Sequence, residues 1–136
     1  FLPLWAGVPL PEAEIRKIIE QHMLNPKEFF GEKPFPSVSY DDPSYDPNGY
    51  CRGPIFPHFV YLMVQTLWRY GYHAEAEQTA DRILDLFRAT PWLHENYNSD
   101  TGSGWDAERK IGFPDYNWSD ATVIELLLER YKEPLF

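Results

Sequence analysis

The stretch from His58 to Tyr70 constrains the fold more than any other part of the chain. Its middle, Phe-Val-Tyr-Leu-Met-Val-Gln-Thr-Leu-Trp, is apolar nearly all the way round when wound as a helix, so such a helix has to be covered on every side. Gly71 ends it. After a tight turn, Ala74–Ala89 carries Ala76, Ala80, Ile83, Leu84 and Phe87 on one face and charges on the other. An inner helix is thus followed by an outer one. Upstream, Ile15, Ile18, Ile19 and Met23 give Pro11–Leu24 helical spacing with one wet face, and Asn25-Pro26 stops it. Asn25 then caps a short turn through Phe30, with Pro26 at its first position and Gly31 as a left-handed stop. Ser119–Arg130 reads as another mostly buried helix with Ser119 or Asp120 near its cap.

Between these helices lie two long segments without periodicity, Glu32–Pro57 and Thr90–Trp118, rich in proline, tyrosine, aspartate and turn pairs. Strands find almost no support. Alternating inner and outer helices are the layout of an all-α αα-toroid, and both loops enter the amino ends of inner helices. They therefore share one rim. Long aperiodic loops in a compact domain are usually functional, so the rim is where chemistry is sought.

Composition narrows the classes of function. With 12 basic and 21 acidic side chains the net charge is −9, which argues against nucleic acid, because phosphate neutralisation needs a basic face. A single cysteine, Cys51, excludes an internal disulfide and a multi-cysteine zinc site. No apolar run reaches the roughly 18 residues a spanning helix needs. The expectation is a soluble, cytoplasmic protein with no membrane partner. The 136 residues suit one domain, yet the opening Phe1-Leu2-Pro3-Leu4-Trp5 begins inside an apolar stretch, as though the chain were cut from a larger unit. Aromatic residues make up 17% of the chain, more than a small core requires, so some are expected to line a concave, partly wet surface.

The loops carry the candidate groups. Interleaved tyrosines, carboxylates and Arg52 between Pro36 and Pro57 suit a sugar, since rings stack on pyranose faces and Asp and Arg bind hydroxyls. A proline-stiffened surface loop with self-bonded Asp turns is the plainer alternative. Asp41, Asp42, Asp46 and Asn48 are hard oxygen ligands, but their spacing is not that of an EF-hand. His94-Glu95-Asn96-Tyr97-Asn98 falls one histidine short of the zinc-protease pattern and lies in a loop, so no metal is assigned. Glu95, flanked by amides and a tyrosine, is placed like a general base, against the plainer reading of a solvated loop acid. Trp118, at the last inner helix's entrance, is a sugar platform or a core plug with equal weight.

These residues resemble a known family. Pro3-Leu4-Trp5-Ala6-Gly7-Val8-Pro9, Pro36-Ser37-Val38-Ser39-Tyr40-Asp41-Asp42-Pro43, Gly49-Tyr50-Cys51-Arg52-Gly53-Pro54-Ile55-Phe56-Pro57, His94-Glu95-Asn96-Tyr97-Asn98 and Tyr116-Asn117-Trp118-Ser119 occur in the order seen in glycoside hydrolase family 63. The resemblance covers essentially the whole chain and implies the carboxyl-terminal part of an (α/α)6 catalytic barrel, residues 1–136 forming about a third of the ring. It implies an inverting α-glycosidase acting on a short glycoside or a glycosylated small acid, with no cofactor. Glu95 would be the general base; Tyr50, Arg52, Phe56, Tyr97, Trp118, Asp42 and Trp5 would bind substrate. Inverting hydrolysis also needs a general acid across the sugar, with the two carboxyls roughly 6.5–9.5 Å apart. No position here matches that acid, so the remaining amino-terminal part of the barrel is an implied partner and the fragment alone is expected to be inactive.

The family pattern Tyr-Trp-Arg-Gly-Pro-Val-Trp departs here to Tyr50-Cys51-Arg52-Gly53-Pro54-Ile55-Phe56. Two indoles are replaced, which removes one stacking platform and shrinks another. Arg52 is retained, either for the sugar or to hold the loop by pairing with Asp41 or Asp42. The same departures motivate the competing reading, a non-catalytic sugar-binding or scaffold toroid. A solenoid of interaction repeats fares worse, because no fixed-period self-similarity links the helical pairs.

Overall fold

The computed structural model describes residues 1–104 and 112–131. The chain is all-α: α1 (Leu2–Trp5), α2 (Glu12–Ile18) continuing into a π-helical turn (Ile19–Met23), α3 (Pro57–Arg69), α4 (His73–Arg88) and α5 (Asn117–Tyr131). The expected helices are present within a residue or two, and α1 is additional. Among the described residues the extended structure is confined to isolated bridges, Ile55 with Tyr97 and His94 with Pro114.

The antiparallel pair α3 and α4 organises the core. Val60, Val64 and Leu67 of α3 are buried with Ala76, Ala80, Ile83, Leu84 and Phe87 of α4, the apolar stripe that the sequence spacing assigns to the outer helix. Gly71, at φ +85°, allows the reversal between them, a conformation that costs a residue with a Cβ far more. Pro57 starts α3 inside its first turn, where its missing N–H removes no helical hydrogen bond. The wider π turn carries Ile19 and Met23 into the same core.

Several expectations are corrected. Asn25 does cap the turn that follows α2, its Oδ1 accepting from Lys27 N at 3.0 Å, but Gly31 is not left-handed. The reversal is closed by Phe35, at φ +57°, whose N–H bonds back to Phe29 O at 2.8 Å. α3 is not covered on every side, since Phe59 and Trp68 are exposed. α5 starts at Asn117, two residues before the expected cap, and buries one stripe: Ser119, Thr122 and Leu126. Trp118 and Ile124 stand out of it, 60% and 49% exposed. The physical reason is cover: α3 packs against α1, α4 and α5, and α5 against α3, and among the described residues these neighbours leave Phe59, Trp68, Trp118 and Ile124 open. No helix among the described residues is long and apolar enough to cross a membrane.

Candidate active site

The two long loops meet in a backbone pairing. Ile55 and Tyr97 exchange both N–H···O bonds at 2.8 Å, which sets the end of the first loop against the centre of His94–Asn98. Glu95 N–H donates to Phe113 O at 2.8 Å, and His94 Nδ1 donates to Gly112 O at 2.8 Å; a carbonyl only accepts, so Nδ1 carries the hydrogen. Ser119 Oγ, in the first turn of α5, donates to His94 O. The Glu95 segment is therefore clamped from both sides by backbone and helix.

Glu95 is 8% exposed, and Tyr50 donates its hydroxyl to Oε1 at 2.6 Å. That bond to a carboxylate is the main cause of the Tyr50 phenol being pushed up to about 12, so the phenol remains a donor throughout the neutral range. The Tyr50 ring meets Phe56 edge-to-face with centroids 5.5 Å apart. From Phe56 the contacts run through His58, at 5.8 Å, to Trp118, whose indole is 4.9 Å from the His58 ring. Tyr116 flanks Trp118 at 5.9 Å. A buried carboxylate results, linked through Tyr50 to an aromatic shelf in which Phe56 is itself buried and Trp118 is open; both loops and the first turns of α3 and α5 build it.

Of the residues singled out from the sequence, this cluster brings together Glu95, Tyr50, Phe56 and Trp118. Arg52 sits in the same loop, but its guanidinium pairs with Asp46 at 3.2 Å rather than with Asp41 or Asp42. Asp46 is nearer because the chain turns back on itself, Asp46 N–H donating to Arg52 O at 2.8 Å. Asp42 accepts from the N–H and Oγ of Ser44 at 2.7 and 2.6 Å, a self-bonded Asp turn, and these bonds hold its carboxyl below the usual range. Tyr97 is 0% exposed; its ring packs edge-on to Phe87 at 5.8 Å, and its oxygen accepts from His94 N–H at 3.1 Å, beneath the loop. Trp5 donates from Nε1 to Gln65 at 2.8 Å, roughly two helical turns along α3 from the rim.

The sequence assigns no role to His58, and Tyr116 enters only as part of the Tyr116-Asn117-Trp118-Ser119 motif. His58 Nδ1 is buried with no hydrogen-bond partner among the described residues, and burial lowers the imidazole pKa. Its position in the first turn of α3 was readable, since that turn leaves the first loop directly. Among the described residues no group of His, Cys, Asp and Glu is arranged to hold a metal ion.

Helical hairpins with both irregular loops on one rim place the fold with the six-hairpin glycosidase-like barrels, of which it matches a partial, carboxyl-terminal-like portion. The chain belongs to the family described as the mannosylglycerate hydrolase MGH1-like glycoside hydrolase domain, whose model matches residues 1–119. A mannosylglycerate hydrolase from Rubrobacter radiotolerans is 27% identical over 96 residues, covering 69% of this chain and 20% of that protein. The family 63 mannosylglycerate hydrolase of Thermus thermophilus, crystallised with glucose, superposes with a TM-score of 0.74 at 24% identity. The same enzyme with Tris and D-glycerate gives a TM-score of 0.72. This chain is covered to 95% and the Thermus chain to 28% in both. The chain thus spans less than a third of the relatives it matches.

Proposed function

We propose that this chain is the base-bearing portion of an inverting α-glycoside hydrolase acting on a glycosylated small acid such as mannosylglycerate, with Glu95 as the general base. The observation that carries the reading is Glu95 itself: a carboxylate 8% exposed, fixed by a phenol donor and bordered by the Phe56–His58–Trp118 shelf. Burial beside aromatic rings is the environment in which a base is kept from bulk water while a sugar stacks alongside. Glu95 would accept a proton from the water that attacks the anomeric carbon. A carboxylic acid from elsewhere in the barrel would protonate the leaving oxygen, with the glycosyl carbon inverted. Because that acid has no counterpart in this chain, the fragment alone is inactive on this reading and the rest of the barrel is its structural partner.

In the full-length enzyme, Glu95→Gln is expected to lower kcat on mannosylglycerate by at least roughly a hundredfold, the usual scale of general-base catalysis, without lowering the melting temperature. Proton NMR of the wild-type reaction should show the β-anomer of mannose first. Near-wild-type turnover of Glu95→Gln overturns the assignment. Wild-type enzyme silent on mannosylglycerate, glucosylglycerate and short α-glucosides favours the non-catalytic toroid, for which Cys51 and Phe56 are the motivating departures.

A further inference from the structure

Tyr50 reaches Glu95 from a segment that closes on itself. Gly49 N–H donates to Asp46 O at 2.8 Å, Arg52 N–H to Gly49 O at 3.2 Å, and Asp46 N–H to Arg52 O at 2.8 Å. Asp46 Oδ1 accepts from Asn48 N–H at 3.0 Å while its Oδ2 pairs with Arg52 at 3.2 Å. The loop is anchored to the Glu95 segment by Asn98 Nδ2, which donates to Asn48 Oδ1 at 2.7 Å. Inside this ring of bonds Tyr50 takes φ +53°, the left-handed region, which a side chain as large as tyrosine occupies only where its surroundings impose it. The outlying backbone delivers the hydroxyl to Glu95 Oε1 at 2.6 Å although the residue is 42% exposed.

We infer that Tyr50 is a positioning residue for Glu95: the strained, self-closed loop 46–53 exists to hold its hydroxyl on Oε1, so that Oε2 is the oxygen presented to the attacking water. The inference rests on the reading of Glu95 as the general base and changes the role of Tyr50 from a sugar contact to a partner of the base. Arg52 then acts one step further out, by pairing with Asp46 within the loop.

The test is Tyr50→Phe in the full-length enzyme, which removes the hydroxyl and keeps the ring on Phe56. With mannosylglycerate as probe, kcat should fall about tenfold or more, the scale of one hydrogen bond to a charged group. KM should change little. A second measurement needs no substrate: carbon-13 NMR of protein labelled at the glutamate carboxyls, with the Glu95 signal identified by its loss in Glu95→Gln. Its chemical shift at neutral pH should move in Tyr50→Phe, because Oε1 loses its donor. An unmoved Glu95 signal overturns the inference, and so does a raised KM with unmoved kcat, which would return Tyr50 to the sugar. If Glu95→Gln keeps near-wild-type turnover, the general-base reading fails, and the NMR signal still reports separately whether the Tyr50 hydroxyl sits on Glu95.

Discussion

The rim loops and the inner helices invert the usual relation between regularity and completeness. Loops 32–56 and 90–116 have no period, yet in their described parts they are closed by hydrogen bonds between themselves: Ile55 with Tyr97, Asn98 with Asn48, Tyr45 with Asp100 at 2.6 Å. Helices α3 and α5 are regular and yet present Phe59, Trp68, Trp118 and Ile124 to the outside. The difference follows from what each kind of group demands. A backbone N–H or a carboxylate taken from water has to find a specific partner at about 3 Å. Apolar surface asks only for cover, which any apolar partner surface can supply.

The strongest way to break this contrast is a charge on the open helix face. In the full-length protein Ile124→Asp should cost about 3–5 kcal/mol if the rest of the barrel covers that face, read as a large fall in melting temperature. An unchanged melting temperature would mean that the face of α5 is solvent-exposed in the whole protein. Gly53→Ala tests the other side. A Cβ there would run into the Asp46 carbonyl, so the self-closed loop has to shift, at about 2 kcal/mol or more of stability, with kcat falling because Tyr50 moves with it. Stability and turnover both untouched would show the loop to be compliant.

Smaller effects sharpen the comparison. Asn98→Ala removes the Asn48 contact and the acceptor that Asp100 and Thr101 N–H use at 2.9 and 2.8 Å. About 1 kcal/mol is expected from denaturant unfolding, together with a small fall in kcat as the Tyr50 loop loosens. Arg52→Gln should change stability least, by about 0.5 kcal/mol, since the Asp46 pair is largely exposed. If instead KM on mannosylglycerate rises tenfold with kcat unchanged, Arg52 contacts the substrate and not only the loop.

Much of the architecture is legible in the sequence because it rests on local rules. The apolar spacing of Ala76, Ala80, Ile83 and Leu84 and the glycine after Tyr70 specify a helical hairpin whatever surrounds it. Glu95 stands out by its neighbours in sequence. The partners of the loop residues are less legible: the sequence pattern offers Asp41 or Asp42 to Arg52, one turn too early, because the fold-back that brings Asp46 to it depends on Gly53 having no side chain. Tyr97, adjacent in sequence to the site, points beneath it onto Phe87, an orientation set by the bridge to Ile55. His58 is hidden within an apolar helix and matters only because Trp118 arrives beside it from far along the chain.

By itself, then, the sequence determined the all-α class, the helical hairpin, the two-loop rim and a carboxylate in an unusual setting, since period, turn residues and short-range chemistry are written in consecutive positions. The tertiary structure decided which aromatic groups share the carboxylate's surface, which tyrosine touches it and which helix faces remain open. Those outcomes depend on pairs such as Tyr50 with Glu95 and His58 with Trp118, whose separation along the chain no local rule can bridge.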